Sequence, residues 1–252
     1  MSEKPVTACL IIIGNEILSG RTVDANLSYL AKALGAIGIR LAEARVIPDD
    51  EGEIVDAVNA CRVKHDYVFT TGGIGPTHDD ITAAAIAKAF DLPFGRNAEA
   101  EALLLAFYPP EKVNEARMSM ADMPDGAELI GNPVSTAPGF RIENVHVLAG
   151  VPKIMQVILD TILPNLKGGA VVLSRSITVF MPEGEIAMHL KTLQDEHPEL
   201  DIGSYPFFGT AGPGSTIVCR GTDQNRVDQA ANTLLALAPE IGVKMIDGAA
   251  RT

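Results

Sequence analysis

The chain has 252 residues, 47% of them hydrophobic, with 32 acidic and 20 basic side chains and a net charge of -12. That is enough apolar material for a sizeable core, and the length suits one large and one small domain. The acidic balance and the absence of any Lys/Arg cluster argue against nucleic acid as a partner. No apolar run reaches the roughly 18 residues of a membrane span.

Residues Met1 to Pro5 lead straight into a strand with no charged leader-like region, so a soluble, cytoplasmic protein is expected. Ala8 to Ile13 is a continuous apolar run, the pattern of a strand buried on both faces. Leu27, Leu30, Ala31 and Leu34 then recur at helical spacing, and Gly35 and Gly38 end that helix. Ala44 to Ile47 reads as a second strand. Asp50 and Glu53 have capping-box spacing ahead of a helix carrying Ile54, Val58 and Cys61 on one face. Tyr67 to Thr70 is the third strand, and Ile81 to Phe90 the third helix. Three β-α units in series imply a mostly parallel sheet with helices on both faces, a three-layer α/β/α arrangement. Ligands in such sheets bind beyond the carboxyl ends of the strands.

Helices are expected over Glu99 to Tyr108 and Glu111 to Met120, followed by a long irregular segment marked by Pro124, Gly126, Pro133 and Pro138. Phe140 to Ile142 and His146 to Leu148 read as a hairpin, and a helix opens at Gly150-Val151-Pro152. Lys167-Gly168-Gly169 is the linker candidate, dividing a domain over residues 1–168 from one over 169–252. The second segment reads as a small α+β module, with strands at Ser176 to Phe180, Ile202 to Phe207 and Thr216 to Arg220 and helices at Glu183 to Gln194 and Val227 to Leu237. Gly212-Pro213-Gly214 suits a hairpin turn. Cys9, Cys61 and Cys219 lie far apart in sequence, in apolar runs, with no C-x-x-C, so buried reduced thiols are expected.

Chemistry concentrates in Thr70-Thr71-Gly72-Gly73-Ile74-Gly75-Pro76-Thr77-His78-Asp79-Asp80-Ile81-Thr82. A glycine turn between strand and helix exposes backbone N–H groups at a positive helix end, which suits phosphate. Neighbouring carboxylates suit a divalent ion. Neither a dinucleotide fingerprint nor a Walker A loop fits, because His78 falls at the last glycine position and no G-K-[S/T] follows. Thr77 reads as a helix cap that also offers a hydroxyl to phosphate. Asp79 and Asp80 read either as first-turn carboxylates favoured by the helix dipole or as metal ligands. His78 is either solvated or a phosphate contact. At the same rim, Glu16 is a solvated carboxylate or a metal ligand, Asn26 a helix residue or a nucleotide contact, and Asp49 a cap or a group that positions water. Ser135 and Thr136 offer hydroxyls from the irregular segment, by turn chemistry or for substrate.

The glycine loop resembles the signature of the MoaB/Mog-like molybdopterin-binding domain superfamily. Within it the chain is similar to the N-terminal domain of CinA and the molybdopterin-binding-like domain of FAD synthases. The supporting segments are Gly14-Asn15-Glu16-Ile17-Leu18-Ser19-Gly20 with Asp24-Ala25-Asn26, Val46-Ile47-Pro48-Asp49-Asp50, Thr136-Ala137-Pro138-Gly139-Phe140 and Gly150-Val151-Pro152. Glu183-Gly184-Glu185-Ile186-Ala187 and Gly203-Ser204-Tyr205-Pro206 resemble the KH-like module of these relatives. The resemblance implies hydrolysis of the pyrophosphate of FAD or ADP-ribose with release of AMP. A divalent ion (Mg, Mn or Co) would be held by Glu16, Asp79 and Asp80, with a monovalent cation as a further candidate. Asp80 and Asp49 carry the catalytic roles, and Gly72, Gly73, Gly75, Thr77, His78, Asn26, Ser135 and Thr136 the substrate. A pterin ligand with adenylylation, and non-catalytic nucleotide binding, are the alternatives. A homo-oligomer, dimer or trimer, is also implied. Asn15 stands where CinA-type loops carry aspartate, and Ala149 where the family carries proline. The chain ends after the small module, so amidase and synthetase activities are not expected.

Overall fold

A computed structural model describes residues 4–209 and 212–249, and divides the chain into two compact units, Met1–Gly169 and Ala170–Thr252. In the first unit the elements run β1 Val6–Ile13, α1 Asn15–Leu18, α2 Asn26–Ala36, β2 Ile39–Ile47, α3 Glu51–Arg62, β3 Tyr67–Thr71, α4 Thr82–Ala89, β4 Phe94–Arg96 and α5 Ala98–Phe107. They continue with α6 Glu115–Met118, β5 Asp122–Pro124, β6 Glu128–Ile130, β7 Gly139–Ile142, β8 Val145–Leu148 and α7 Pro152–Ile162.

The main sheet has six strands in the order β2-β1-β3-β8-β7-β6. β1 runs parallel to β2 and β3, and β3 parallel to β8, while β7 is antiparallel to both neighbours. The sheet is therefore mixed, with its parallel part where the β-α repeats lie. Helices cover both faces, as an apolar strand such as β1 requires. Leu30 and Leu34 of α2 and Met155, Ile158 and Leu159 of α7 pack with Ala8, Leu10 and Ile12 on one face. Ile54, Val58 and Cys61 of α3, Ala85 and Ile86 of α4 and Leu104 of α5 pack with Cys9, Ile11 and Ile13 on the other.

β1 feeds a helix on the first face, and β3 feeds a helix on the second. Their carboxyl ends, side by side at the sheet centre, form the topological switch point at which ligands of such sheets bind. β2 begins five residues earlier than its apolar run indicated. Its register against β1 slips between Ala8↔Leu41 and Cys9↔Glu43, so Ala42 is an extra residue in β2. A slip of one reverses the facing of all later side chains: Leu41 packs on the first face and Ile47 on the second.

The helix expected over 111–120 is broken. A 3-10 turn at Pro110–Lys112 is followed by α6 and a second 3-10 turn, Ser119–Ala121. Asn114 starts α6 afresh by accepting from the Arg117 amide at 2.9 Å. The segment expected to be irregular contains β5, paired with β4, and β6, paired with β7. Both are three residues long, too short for a period-2 signal.

The second unit has β9 Leu173–Val179, α8 Glu183–Glu196, β10 Asp201–Gly209, β11 Gly212–Gly221, α9 Gln224–Ala236, α10 Ala238–Ile241 and β12 Met245–Asp247. Its sheet is antiparallel, in the order β10-β11-β9-β12. Ile177, Ile186, Leu193, Ile217, Val227 and Leu234 form its core. Gly212 to Gly214 are not the hairpin turn. They lie in β11, with Gly212 opposite Gly209; residues 210 and 211 fall outside the described residues.

Candidate functional site

Three loops meet at the rim. The chain leaves β1 at Gly14, whose amide donates to the Ile47 carbonyl at 3.2 Å. The Asn15 amide donates to Asp49 Oδ2 at 2.8 Å, so the loop after β2 anchors the loop after β1. Asp50 caps α3 through the Glu53 amide at 3.1 Å. Asp49 is thereby free of the capping role and has its own contact. The Glu16 carboxylate folds back over Gly14, where a Cβ would lie 2.6 Å from Oε2.

Glu16 lines a small cavity of about 50 Å³ with Asn26, Thr71 and Gly150. Asn26, only 3% exposed, donates through Nδ2 to the Gly150 carbonyl at 2.8 Å. Its Oδ1 and the Thr71 hydroxyl are buried without a partner. Both residues line the cavity, and unmatched buried polar atoms are an unusual cost in a folded interior.

The glycine loop follows β3. Gly72 has φ 105° and Gly73 φ 66°, both in the left-handed region. A Cβ on Gly72 would overlap the Ile13 carbonyl oxygen, and one on Gly73 the Thr82 hydroxyl. Thr82 Oγ1 donates to the Gly72 carbonyl at 3.0 Å, and the Thr82 amide to the Gly73 carbonyl at 2.9 Å. The loop is thus pinned to the first residue of α4. Among the described residues the amides of Gly73, Ile74 and Gly75 donate to no protein acceptor.

Asp80 closes the turn. Its Oδ2 accepts from the Thr77 amide at 2.8 Å and from the Thr77 hydroxyl at 2.5 Å. Oδ1 takes no protein donor among the described residues. Thr77 does not cap α4, which starts at Thr82 with no side-chain cap; its hydroxyl is committed to Asp80. Gly75, Thr77 and Asp80 line a cleft of about 220 Å³ with Ile74, Phe94, Ser119 and Phe140.

Of the other expected residues, Asp79 is exposed and His78 has a side chain 97% exposed, 4.0 Å from Asp79 Oδ1. Glu16, Asp79 and Asp80 do not gather as a ready metal set: the ligand atoms of these three do not all lie within 4.8 Å of one another. Glu16 faces the small cavity and Asp80 the larger cleft. Ser135 and Thr136 line neither cavity, although Pro138 and Phe140 of the same segment line the cleft. Thr136 has φ 65°, a strained conformation for a β-branched residue. Asn132 fixes that loop by donating to Ser135 Oγ at 2.7 Å and the Ala137 carbonyl at 2.8 Å. Sequence reading passed over Asn132, Thr71 and Thr82. The Asn-Pro turn at 132–133 signals the first, while the others look like ordinary strand-end and helix-start threonines.

Residues 9–168 match the probable molybdopterin binding domain family, and residues 171–246 match the FAD synthase middle domain. The chain belongs to the molybdopterin-binding domain family. A protein of Archaeoglobus fulgidus is 35% identical over 88% of this chain and 93% of its own length. A CinA-like protein of Geobacter metallireducens is 37% identical over 77% of this chain, which spans 50% of that relative's length. The solved CinA structure from Thermoplasma acidophilum has a TM-score of 0.60 and 33% identity, covering 64% of this chain and 98% of that one. No helix among the described residues is long and apolar enough to cross a membrane.

Proposed function

We propose that this protein hydrolyses the pyrophosphate bond of an adenine dinucleotide, FAD or ADP-ribose, and releases AMP with the help of a divalent ion. The observation that carries this reading is the juxtaposition of three unpaired amides, Gly73 to Gly75, with an Asp80 carboxylate that has one oxygen free. The amides suit phosphate oxygens, and α4 begins beside them with its positive end. A cleft of 220 Å³ is smaller than the roughly 300–1,000 Å³ of drug-sized ligand sites, and suits one half of a dinucleotide. The match to a FAD synthase domain and the CinA-like relatives support the substrate class.

Asp80 offers a hard cation one open carboxylate oxygen, Oδ1, beside a phosphate cradle, with the substrate's phosphates to supply further oxygens. When bound, such an ion lowers the pKa of a water and offsets charge on the phosphates. Thr77 holds the Asp80 carboxylate in one rotamer. Asp49 positions the Asn15 loop with Oδ2 and has Oδ1 left to orient a water. Asn26 and Thr71 take hydrogen bonds from the other half of the substrate in the smaller cavity. Ser135 and Thr136 are assigned a part only through closure of their strained loop.

The test is incubation of the purified protein with FAD, ADP-ribose or NAD and Mg, Mn or Co, followed by measurement of AMP. AMP from FAD or ADP-ribose that Asp80→Asn abolishes supports the proposal. A second reading, molybdopterin binding or adenylylation, rests on the match over residues 9–168. Tight pterin binding with no AMP from any dinucleotide would favour it. Nucleotide binding without turnover of any candidate would leave a non-catalytic binding protein.

A further inference from the structure

Away from the rim, β1 and α3 bring two thiols together. Cys9 Sγ donates to Cys61 Sγ at 3.1 Å, and both residues are wholly buried. A disulfide needs about 2.05 Å, so a closure of about 1 Å would make the bond. The residues are 52 positions apart in sequence and therefore show no motif.

The surroundings are built for charge. The extra residue Ala42 turns Glu43 and Arg45 onto the face of Cys9, with Glu43 directly opposite it in the ladder. Without that bulge the strand would point both into the apolar face packed by Leu30 and Leu34. Glu43 accepts from Arg45 Nε at 2.8 Å, Lys64 Nζ at 2.6 Å and His65 Nε2 at 3.0 Å. The Cys9 hydrogen bond pushes the Cys61 thiol down, opposed by burial and helped by Arg45 and Lys64. Its partner Cys9 is pushed up, by its bond to Cys61 and by burial. The pair is thus unequal: Cys61 is the better nucleophile and Cys9 keeps the proton. The Glu43 oxygen lies within 4.8 Å of both sulfurs, as a metal site would require. Both its oxygens are already held by cationic or ring donors, which favours thiol chemistry over a metal.

We propose that Cys9 and Cys61 are a reversible dithiol–disulfide pair that fastens β1 to α3 when the protein meets a hydroperoxide. The Cys61 thiolate attacks one peroxide oxygen, the O–O bond breaks, and the departing hydroxide takes a proton to leave as water. Cys61 is then a sulfenic acid. The Cys9 sulfur attacks the Cys61 sulfur, the S–O bond breaks, and that hydroxide leaves as water with the Cys9 proton. Two thiols and one hydrogen peroxide give one disulfide and two waters, the sulfurs losing the two electrons the peroxide gains. Hydrogen peroxide, the smallest hydroperoxide, is the oxidant best suited to a buried pair. Cys219, buried in the second unit, is the internal control.

The experiment exposes the full chain to hydrogen peroxide, then denatures it and alkylates free thiols before mass measurement. One labelled cysteine, Cys219, a loss of two hydrogens and a Cys9–Cys61 cross-linked peptide are expected, all reversed by dithiothreitol. The unfolding midpoint of the oxidised first unit should rise by about 10 °C, since the bridge closes a long loop. Cys61→Ser should abolish the cross-link; if that variant does not fold, labelling of the native chain still decides. Three labelled cysteines after oxidation, or a Cys61 sulfinic acid with no cross-link, would overturn the proposal. One equivalent of zinc that shields both thiols until it is chelated would replace it with a metal site.

Discussion

Asp80 holds Thr77 by backbone and by side chain on a single carboxylate oxygen, at 2.8 and 2.5 Å, and keeps the other oxygen clear. One residue thereby shapes the glycine loop and faces the cleft. Asp80→Asn retains an acceptor for Thr77 but removes the negative charge. AMP release should fall at least about 100-fold, because a metal-held carboxylate supplies several kcal/mol. The melting temperature should change little. A large fall in melting temperature with unchanged turnover would assign Asp80 to the fold alone.

The loop glycines should divide sharply from those in open positions. Gly72→Ala meets both a left-handed backbone and the Ile13 carbonyl. It should cost about 2 kcal/mol or more in urea unfolding. Gly35, inside α2 with nothing within 4 Å of a new Cβ, is the contrast. Gly35→Ala should add about 0.5–1 kcal/mol.

Asn26→Asp changes a donor into an acceptor against the Gly150 carbonyl at nearly constant volume. Loss of that buried bond should lower stability by about 1–3 kcal/mol, read as a shift in urea midpoint at unchanged slope. The same variant should raise KM for the dinucleotide, because the Gly150 carbonyl no longer holds the side chain whose oxygen accepts from the substrate.

His146 makes stability depend on pH. It lies in β8, stacked on Phe69 at 5.1 Å, and burial pulls its pKa down to about 4. The unfolded chain takes up the proton near pH 6.5, before the folded chain does. Stability should therefore fall as pH drops from about 6.5 to 4, by up to about 3 kcal/mol. His146→Phe should flatten that limb of the curve. A limb of equal slope in the variant would place its origin in other groups.

The parallel half of the fold was legible because its signals are strong and local. Ala8 to Ile13 is apolar on both faces, Asp50 and Glu53 form their cap, and the glycine loop stands where a strand hands over to a helix. The parts that were not legible depend on distant partners. β5 and β6 have three residues each and exist through pairing with β4 and β7. Thr77 looked like a helix cap, but Asp80 claims its hydroxyl and Thr82 starts the helix. The cysteines are buried, as their apolar runs indicated, yet nothing in a 52-residue separation announces that Cys9 meets Cys61. Loop residues Ser135 and Thr136 offered the right chemistry, and only the turn built by Asn132 shows that they stand off both cavities.

Ala42 has a meaning for comparison with relatives. A chain that lacks this residue would pair Leu41 with Ala8 and Glu43 with Cys9 in an unbroken ladder, and every side chain from Glu43 to Ile47 would keep its present face. A one-residue gap at this position in an alignment should therefore leave the Glu43, Arg45 and Cys9 cluster intact, and marks a position where relatives can differ in length without turning the strand over.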